Sequence, residues 1–302
     1  MTWEKIDDII LAKISNSMII EKSFDSLSEK ISYMLNNPVS SYLTPSNCKK
    51  IICHSQNIDL IKITSFHIAK KNIFILNGTL FKSGNKKFDI IVKMNKNKGY
   101  VEREIEIYNF LRSNNVPLLW FSTSFKLIKE NILVMEKLYS VVESGAEPKD
   151  IAIDIIDQLS HIHKFGIHSD IKPDNIMGRK HENKVFVKSS GNDYNYLLID
   201  FGGMSMTKHE DGYLRICHTG KFTSQKPINN ILSYPKNDLI ELGYTLSYLY
   251  WKKSGVNEKF MNFKTNFPPY IQHYMDFCID LPKTIFLSGE TYKKAKRFFL
   301  SK

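Results

Sequence analysis

The 302-residue chain contains no run of eighteen or more apolar residues, the length a helix needs to cross a bilayer, and this argues against a membrane span. Its first residues, Met1-Thr2-Trp3-Glu4-Lys5, lack the basic and then apolar pattern of a secretory leader, so a protein that stays inside a cell is expected. Cysteine is scarce, with only Cys48, Cys53, Cys217 and Cys278. None forms a C-x-x-C pair, and Cys48 and Cys53 have no matching His/Cys cluster downstream, which favours reduced thiols over a structural zinc. Acidic residues are outnumbered, 31 against 42 lysines and arginines, for a net charge of +11. A basic surface can attract nucleic acid, anionic lipid or acidic protein segments. No RNA- or DNA-binding motif accompanies the charge, and lysine, asparagine and isoleucine are abundant throughout. The charge is therefore read as a solvated lysine-rich surface, with no specific nucleic-acid partner. No internal repeat is present.

What is there suits a soluble globular protein: 42% hydrophobic and 24% charged residues, in a length that allows one large domain or one domain of two lobes. Residues 1–35 carry two apolar stripes at helical spacing, Ile6/Ile9/Ile10/Ile14 and Phe24/Leu27/Ile31/Met34/Leu35, stopped by Asn36-Asn37-Pro38. Strand-like runs follow at 58–65, 73–81 and 88–94, with a turn at Ser83-Gly84-Asn85. Val101, Ile105, Tyr108 and Leu111 then predict a helix, and two short strands are expected at 121–127 and 131–135. From Pro148 the chain turns helical: Ile151, Ile155, Leu159 and Ile162 recur at helical spacing, with Gly166 as the expected stop. Further helices are predicted at 238–251, 269–278 and 290–300. A small β-rich half followed by a larger helical half implies an α+β fold of two lobes with a cleft.

Two segments carry chemistry. The first is His168-Ser169-Asp170-Ile171-Lys172-Pro173-Asp174-Asn175-Ile176-Met177; the second is the apolar run Leu197-Leu198-Ile199 ending in Asp200-Phe201-Gly202. In this order and context they resemble the catalytic loop and the metal-binding loop of eukaryotic-type protein kinases. The resemblance implies phosphoryl transfer from ATP with Mg²⁺, chemistry that asks for positioning and charge neutralisation. Asp170 would orient or accept the proton of the attacking hydroxyl and Lys172 would neutralise charge on the moving phosphoryl group. Asn175 and Asp200 would supply oxygen ligands to Mg²⁺, and Gly202 would allow a sharp turn after the metal ligand.

The remaining kinase parts are sought at defined places. Lys93, ending Asp89-Ile90-Ile91-Val92-Lys93, would face the α- and β-phosphates, paired with Glu104; Glu106 is the alternative partner. Ile132–Leu138 resembles the strand entering the hinge, with Met135 behind the adenine and the backbone of Glu136 to Leu138 at the adenine edge. One part departs from the pattern: the expected phosphate loop, Ser65–Asn72, has no glycine, so backbone N–H groups cannot approach phosphate in the family's manner. Lys70 or Lys71 would replace those contacts by charge or point into solvent.

Ser169 stands where the family usually has an arginine that receives a phosphorylated activation loop. Lys172-Pro173-Asp174-Asn175 resembles serine/threonine kinases rather than tyrosine kinases or small-molecule phosphotransferases. His218–Ser224, Lys236–Leu246 and Phe267–Met275 resemble the casein kinase 1 and vaccinia-related kinase branch, in which Asp238 would brace the catalytic loop. The resemblance spans roughly 58–300 and implies a layout of 1–55 as an N-terminal helical extension, 56–137 as N-lobe and 138–302 as C-lobe. It also implies a cytoplasmic or nuclear place of action, in a host cell if the source is viral, with which the length and residue usage are compatible. Expected partners are protein substrates, acidic or already phosphorylated ones being suggested by Lys221 and Lys226. The alternative is a pseudokinase or scaffold with weak nucleotide binding.

Overall fold

The structure, a computed structural model, describes residues 60–70, 73–82, 86–95, 98–118, 122–127, 130–142, 144–180, 193–206, 208–209, 212–214, 221–224 and 232–300. The predicted helices at 1–35, the 1–55 extension, the turn at Ser83–Asn85, Lys71, Lys226, and Cys48, Cys53 and Cys217 lie outside the described residues. The fold is mixed α+β, with small antiparallel sheets and five α-helices among the described residues. No described helix is long and apolar enough to cross a membrane. Two compact units are drawn from Met1–Glu106 with Leu119–Lys137, and from Ile107–Leu118 with Leu138–Lys302.

The first unit is a five-stranded antiparallel sheet in the order β1-β2-β3-β5-β4. Its strands are β1 (Leu60–Lys70), β2 (Ile73–Lys82), β3 (Lys86–Asn95), β4 (Ser122–Leu127) and β5 (Glu130–Glu136), with helix α1 (Lys98–Ser113) between β3 and β4. β3 is paired on both edges and buries Ile90 and Val92. The sequence expectation of a loop from Ser65 is corrected here. β1 continues to Lys70, with Phe66 opposite Leu76, Ile68 opposite Phe74 and Lys70 opposite Ile73. Ser65-Phe66-His67-Ile68 alternates polar with apolar, the two-residue period of a strand.

The second unit takes the end of α1 because Leu111 is buried and Phe110 meets the Phe165 ring edge-on at 5.3 Å. Its helices are α2 (Pro148–Ile162), α3 (Pro235–Lys253), α4 (Pro269–Asp280) and α5 (Gly289–Leu300). Three of them open with proline, where a missing N–H leaves no bond unmade. α2 buries Ile151, Ile155, Ile156, Leu159 and Ile162 completely, each contributing about 1.5–3 kcal/mol relative to exposure. α3 is apolar on several sides, with Leu239, Leu242 and Leu246 at zero exposure, and so runs through the core. α4 lies against α3, and α5 buries Tyr292, Ala295 and Phe299. Two three-stranded sheets complete the unit: β6 (Tyr139–Ser140), β7 (Ile176–Lys180) and β8 (Tyr194–Leu198), and β9 (Lys208–His209), β10 (Gly212–Leu214) and β11 (Leu232–Ser233). Cys278 is a buried free thiol, which burial pushes up to about 12.

Gly166 is not the helix stop that its position suggested. α2 ends at Ile162 and the C-cap is His163. Gly166 is required by a close approach: a Cβ there would lie 2.3 Å from the Ser205 carbonyl oxygen, beside the bridge in which Ile167 and Ser205 exchange two backbone hydrogen bonds of 2.9 Å. At Gly243 a Cβ would instead meet the Met275 side chain, with Sδ at 2.1 Å. Gly166→Ala should therefore cost about 1–3 kcal/mol, since backbone must move. Gly243→Ala should cost less, because a thioether can swing aside and alanine favours the helix by roughly 1 kcal/mol. Urea unfolding of both variants checks the order; Gly166→Ala as stable as wild type would contradict it.

Candidate active site

In the first unit, Lys93 sits on β3 opposite Ile75 and Leu133 and is 5% exposed. Its Nζ lies 2.7 Å from Glu104 Oε2, and Glu104 is fully buried on α1. Val101, Glu104, Tyr108 and Leu111 share the buried face of α1, whereas Glu102 and Glu106 are exposed. Helix phase thus selects Glu104 from the acidic residues of this segment. Lys93 is the only buried lysine among the residues whose burial is described. A buried ion pair contributes little net stability, because desolvation offsets the attraction; its use here is to hold an ammonium in place. Met135 is buried on β5, opposite Ile91 and Ser122, and Glu136 is half-buried opposite Ile90. The Lys137 N–H donates to Asp89 O at 2.9 Å, so it is committed within the sheet. Leu138 is buried and begins the long segment of the second unit.

In the second unit, Asp170, Lys172, Asn175 and the strand leading to Asp200 come together. Lys172 Nζ donates to Asp170 Oδ2 at 2.6 Å. Asn175 Nδ2 donates to the Asp170 carbonyl at 2.9 Å and to Asp170 Oδ2 at 3.0 Å. Both partners are acceptors, which fixes the amide orientation and leaves Asn175 Oδ1 as the oxygen donor. Pro173 opens a single 3₁₀ turn that carries Asn175 back under Asp170. The Asn175 carbonyl then accepts from Ile199 N at 2.9 Å, one residue before Asp200. β8, which delivers Asp200, is held by α2: Tyr196 N donates to Asp154 Oδ2 at 2.8 Å and Leu198 N to Gln158 Oε1 at 2.7 Å. Two side chains one helical turn apart thus capture alternate N–H groups of an edge strand.

The backbone at this site is strained. Ser169 and Asp200 have φ of 70° and 62°, a left-handed conformation that costs a residue with a Cβ about 1–3 kcal/mol. The sharp turn expected of Gly202 is taken by Asp200 itself, while Gly202 lies inside the 3₁₀ turn Phe201–Gly203. The reason is local: Phe201 must turn inward at once to meet the rings of His168 at 5.1 Å and Tyr108 at 5.2 Å. His168 Nε2 donates to the Ile199 carbonyl at 3.0 Å, tying the two segments again.

Asp238 holds the strained loop. Its Oδ2 accepts from His168 N at 2.7 Å and its Oδ1 from Ser169 N at 3.0 Å, and His163 Nε2 lies 3.0 Å from Oδ2. Burial alone would raise this carboxyl, but the hydrogen bond from His163, electrostatic attraction to His163 and His168 and the His168 amide outweigh it and hold it below the usual value. His163, and beyond it Tyr292 with its hydroxyl 2.7 Å from Nδ1, were not anticipated. Neither belongs to a local motif, and contacts over 75 and 129 residues leave no periodic signal. Glu241 was missed likewise: it accepts from Ser224 N at 3.0 Å and Ser224 Oγ at 3.1 Å, docking Lys221–Ser224 on α3. Lys221 lies 4.6 Å from the Tyr248 ring centre and 3.4 Å from Glu258.

Among the described residues no group of three or more His, Cys, Asp or Glu side chains could hold a metal by itself. An amide oxygen and a carboxylate, Asn175 and Asp200, are the hard donors that fit Mg²⁺ when phosphates complete its shell. No protein-family model matches the chain.

Asp238→Ala would leave two amides and an imidazole without their acceptor and should cost about 3–5 kcal/mol at pH 7. The folded carboxyl titrates below its unfolded counterpart, so the contribution is complete above the unfolded value of 3.8 and is lost as pH falls through the lower folded value. Urea midpoints of both proteins should therefore differ by a constant amount from pH 7 to pH 5 and converge below pH ~4; a gap that widens in acid would refute the assignment.

Proposed function

We propose that the chain is a serine/threonine protein kinase with the two-lobed kinase fold, nearest the casein kinase 1 and vaccinia-related branch, and that it transfers the γ-phosphate of ATP to protein hydroxyls. The observation that carries this reading is Asn175. One amide holds the backbone and the carboxylate of Asp170, while the carbonyl of the same residue holds the strand that ends in Asp200. The proposed acid–base group and the proposed metal ligands therefore share one hub.

On this reading Asp170 takes the proton of the attacking hydroxyl, its carboxylate plane set by Lys172 and Asn175. Lys172 neutralises charge on the transferring phosphoryl group, and Lys93, held by Glu104, neutralises the α- and β-phosphates. Met135, Glu136 and Leu138 would line the adenine, with the Lys137 N–H excluded as a contact by its bond to Asp89. Asn175 Oδ1 and the Asp200 carboxylate would hold Mg²⁺, which when bound neutralises the phosphate oxygens. The lysine-rich surface, Lys221 included, would favour acidic or phosphorylated segments.

A second reading, a nucleotide-binding scaffold without turnover, is favoured by one observation. β1 and β2 stay paired as far as Lys70 and Ile73, which leaves two residues and no glycine for the phosphate loop.

Purified protein with radiolabelled ATP and Mg²⁺ should label a protein substrate, and Asp170→Asn should lower kcat by ~10²–10⁴-fold while leaving the unfolding midpoint near that of wild type. Wild-type protein that binds nucleotide without transfer would select the scaffold reading. On a peptide array, acidic peptides should be phosphorylated faster than neutral ones; equal rates would remove the acidic preference and leave the transfer reading intact.

A further inference from the structure

The C-terminal helix reaches the catalytic loop through side chains that the phosphoryl-transfer reading does not use. Tyr292, 4% exposed on α5, places its hydroxyl 2.7 Å from His163 Nδ1. His163, 3% exposed just past the end of α2, places Nε2 3.0 Å from Asp238 Oδ2. Asp238, on the first turn of α3, accepts the amides of His168 and Ser169. The chain of bonds therefore ends on the strained residue that immediately precedes Asp170. The Asp238 carboxylate can only accept, so Nε2 carries the hydrogen of that link. In the neutral ring Nδ1 is then the acceptor, and the Tyr292 hydroxyl, which burial keeps protonated, can donate to it. Without the phenol, the ring could adopt the other tautomer or turn, and Asp238 would lose its imidazole donor.

We propose that Tyr292 is a positioning residue for Asp170, acting through His163 and Asp238 to hold the His168–Ser169 backbone in the conformation that presents the Asp170 carboxylate. The catalytic part of this proposal rests on the kinase reading; the positioning part does not. It gives α5, the last described helix, a direct mechanical connection to the loop and makes its docking a condition for the geometry there. The hydrogen bonds within a low-dielectric core are mutually dependent, so a change at one end is felt at the other.

The test compares Tyr292→Phe with Tyr274→Phe in the full chain. Tyr274 is a matched control: it is fully buried, its hydroxyl donates to Leu239 O at 2.9 Å, and it is not a member of the chain of bonds. Residue-resolved amide exchange at His168 and Ser169 should accelerate roughly 2- to 10-fold in Tyr292→Phe, the range expected from one net hydrogen bond, and should not change in Tyr274→Phe beyond any global loss of stability. In a protein with measurable transfer, Tyr292→Phe should also lower kcat by roughly 2- to 10-fold with KM for ATP unchanged, while Tyr274→Phe leaves both alone. Equal exchange at 168–169 in the two variants overturns the proposal. Faster exchange with unaltered kcat overturns its catalytic part. If wild-type protein shows no transfer at all, the exchange result still decides the positioning claim, and the kinase reading fails separately.

Discussion

A carboxylate buried at 1% exposure can remain ionised only if donors replace the water it has lost. Asp238 obtains three: the amides of His168 and Ser169 and the imidazole of His163. The exchange works in both directions. The donors keep the carboxyl charged, and the charge holds a backbone that would otherwise relax, since Ser169 gains nothing intrinsically from φ of 70°. Everything downstream depends on that anchor: the direction in which Asp170 leaves the loop, the reach of Lys172 to it, and the turn by which Asn175 comes back under it. Thr245, two helical turns along α3 from Asp238, adds a bond of 3.2 Å to the Ile171 carbonyl. The same buried helix therefore grips the loop on both sides of Asp170.

The lysines of this chain show why position outweighs number in electrostatics. Among the residues whose burial is described most are exposed, and several lie over rings, as Lys221 over Tyr248, Lys264 over Tyr244 and Lys294 over Phe277. Such contacts are worth about 0.5–1 kcal/mol each where solvent reaches them. Lys93 differs because solvent does not screen it. An ammonium in a buried sheet position, with the Glu104 carboxylate 2.7 Å away, acts on a neighbouring anion with less screening than a surface charge does. The net charge of +11 is thus a poor guide to the site, and burial is a good one.

What could be read in advance follows from the range of each interaction. Helices α1 to α5 and strands β2 to β5 were legible to within a few residues because periodic burial repeats over short distances. Glu104 was ranked above Glu106 by resemblance, and the structure gives the physical reason: Glu104 lies on the buried face with Val101, Tyr108 and Leu111, and Glu106 is exposed. Asp170, Lys172, Asn175 and Asp200 were singled out by the resemblance of two short segments, and the structure brings Asp170, Lys172 and Asn175 into mutual hydrogen bonding. Gly166 and Gly202 were misread for one reason: glycine was taken as a signal of backbone conformation. At Gly166 it serves the close approach of the Ser205 carbonyl, and at the Asp200–Gly202 turn the left-handed residue is Asp200. His163, Tyr292, Gln158 and Glu241 were invisible because their partners are fixed by how helices pack, which no local pattern encodes.

The paired strands β1 and β2 have a consequence for how an anion could be held in the first unit. Backbone N–H groups that face each other across an antiparallel ladder are spent on the partner strand's carbonyls, and β1 stays paired with β2 as far as Lys70, with one irregularity between Ile68 and Lys70. A glycine-rich loop frees such groups by leaving the ladder; a strand that stays paired frees fewer. On the proposed reading, recognition of phosphate by this unit would lean on side-chain charge, with Lys93 the one buried lysine among the residues whose burial is described. Charge-based recognition is less directional than an amide cradle and more sensitive to salt. On that reading Lys93 would supply the charge, and the Glu104 carboxylate that holds its ammonium at 2.7 Å would matter as much as the lysine itself.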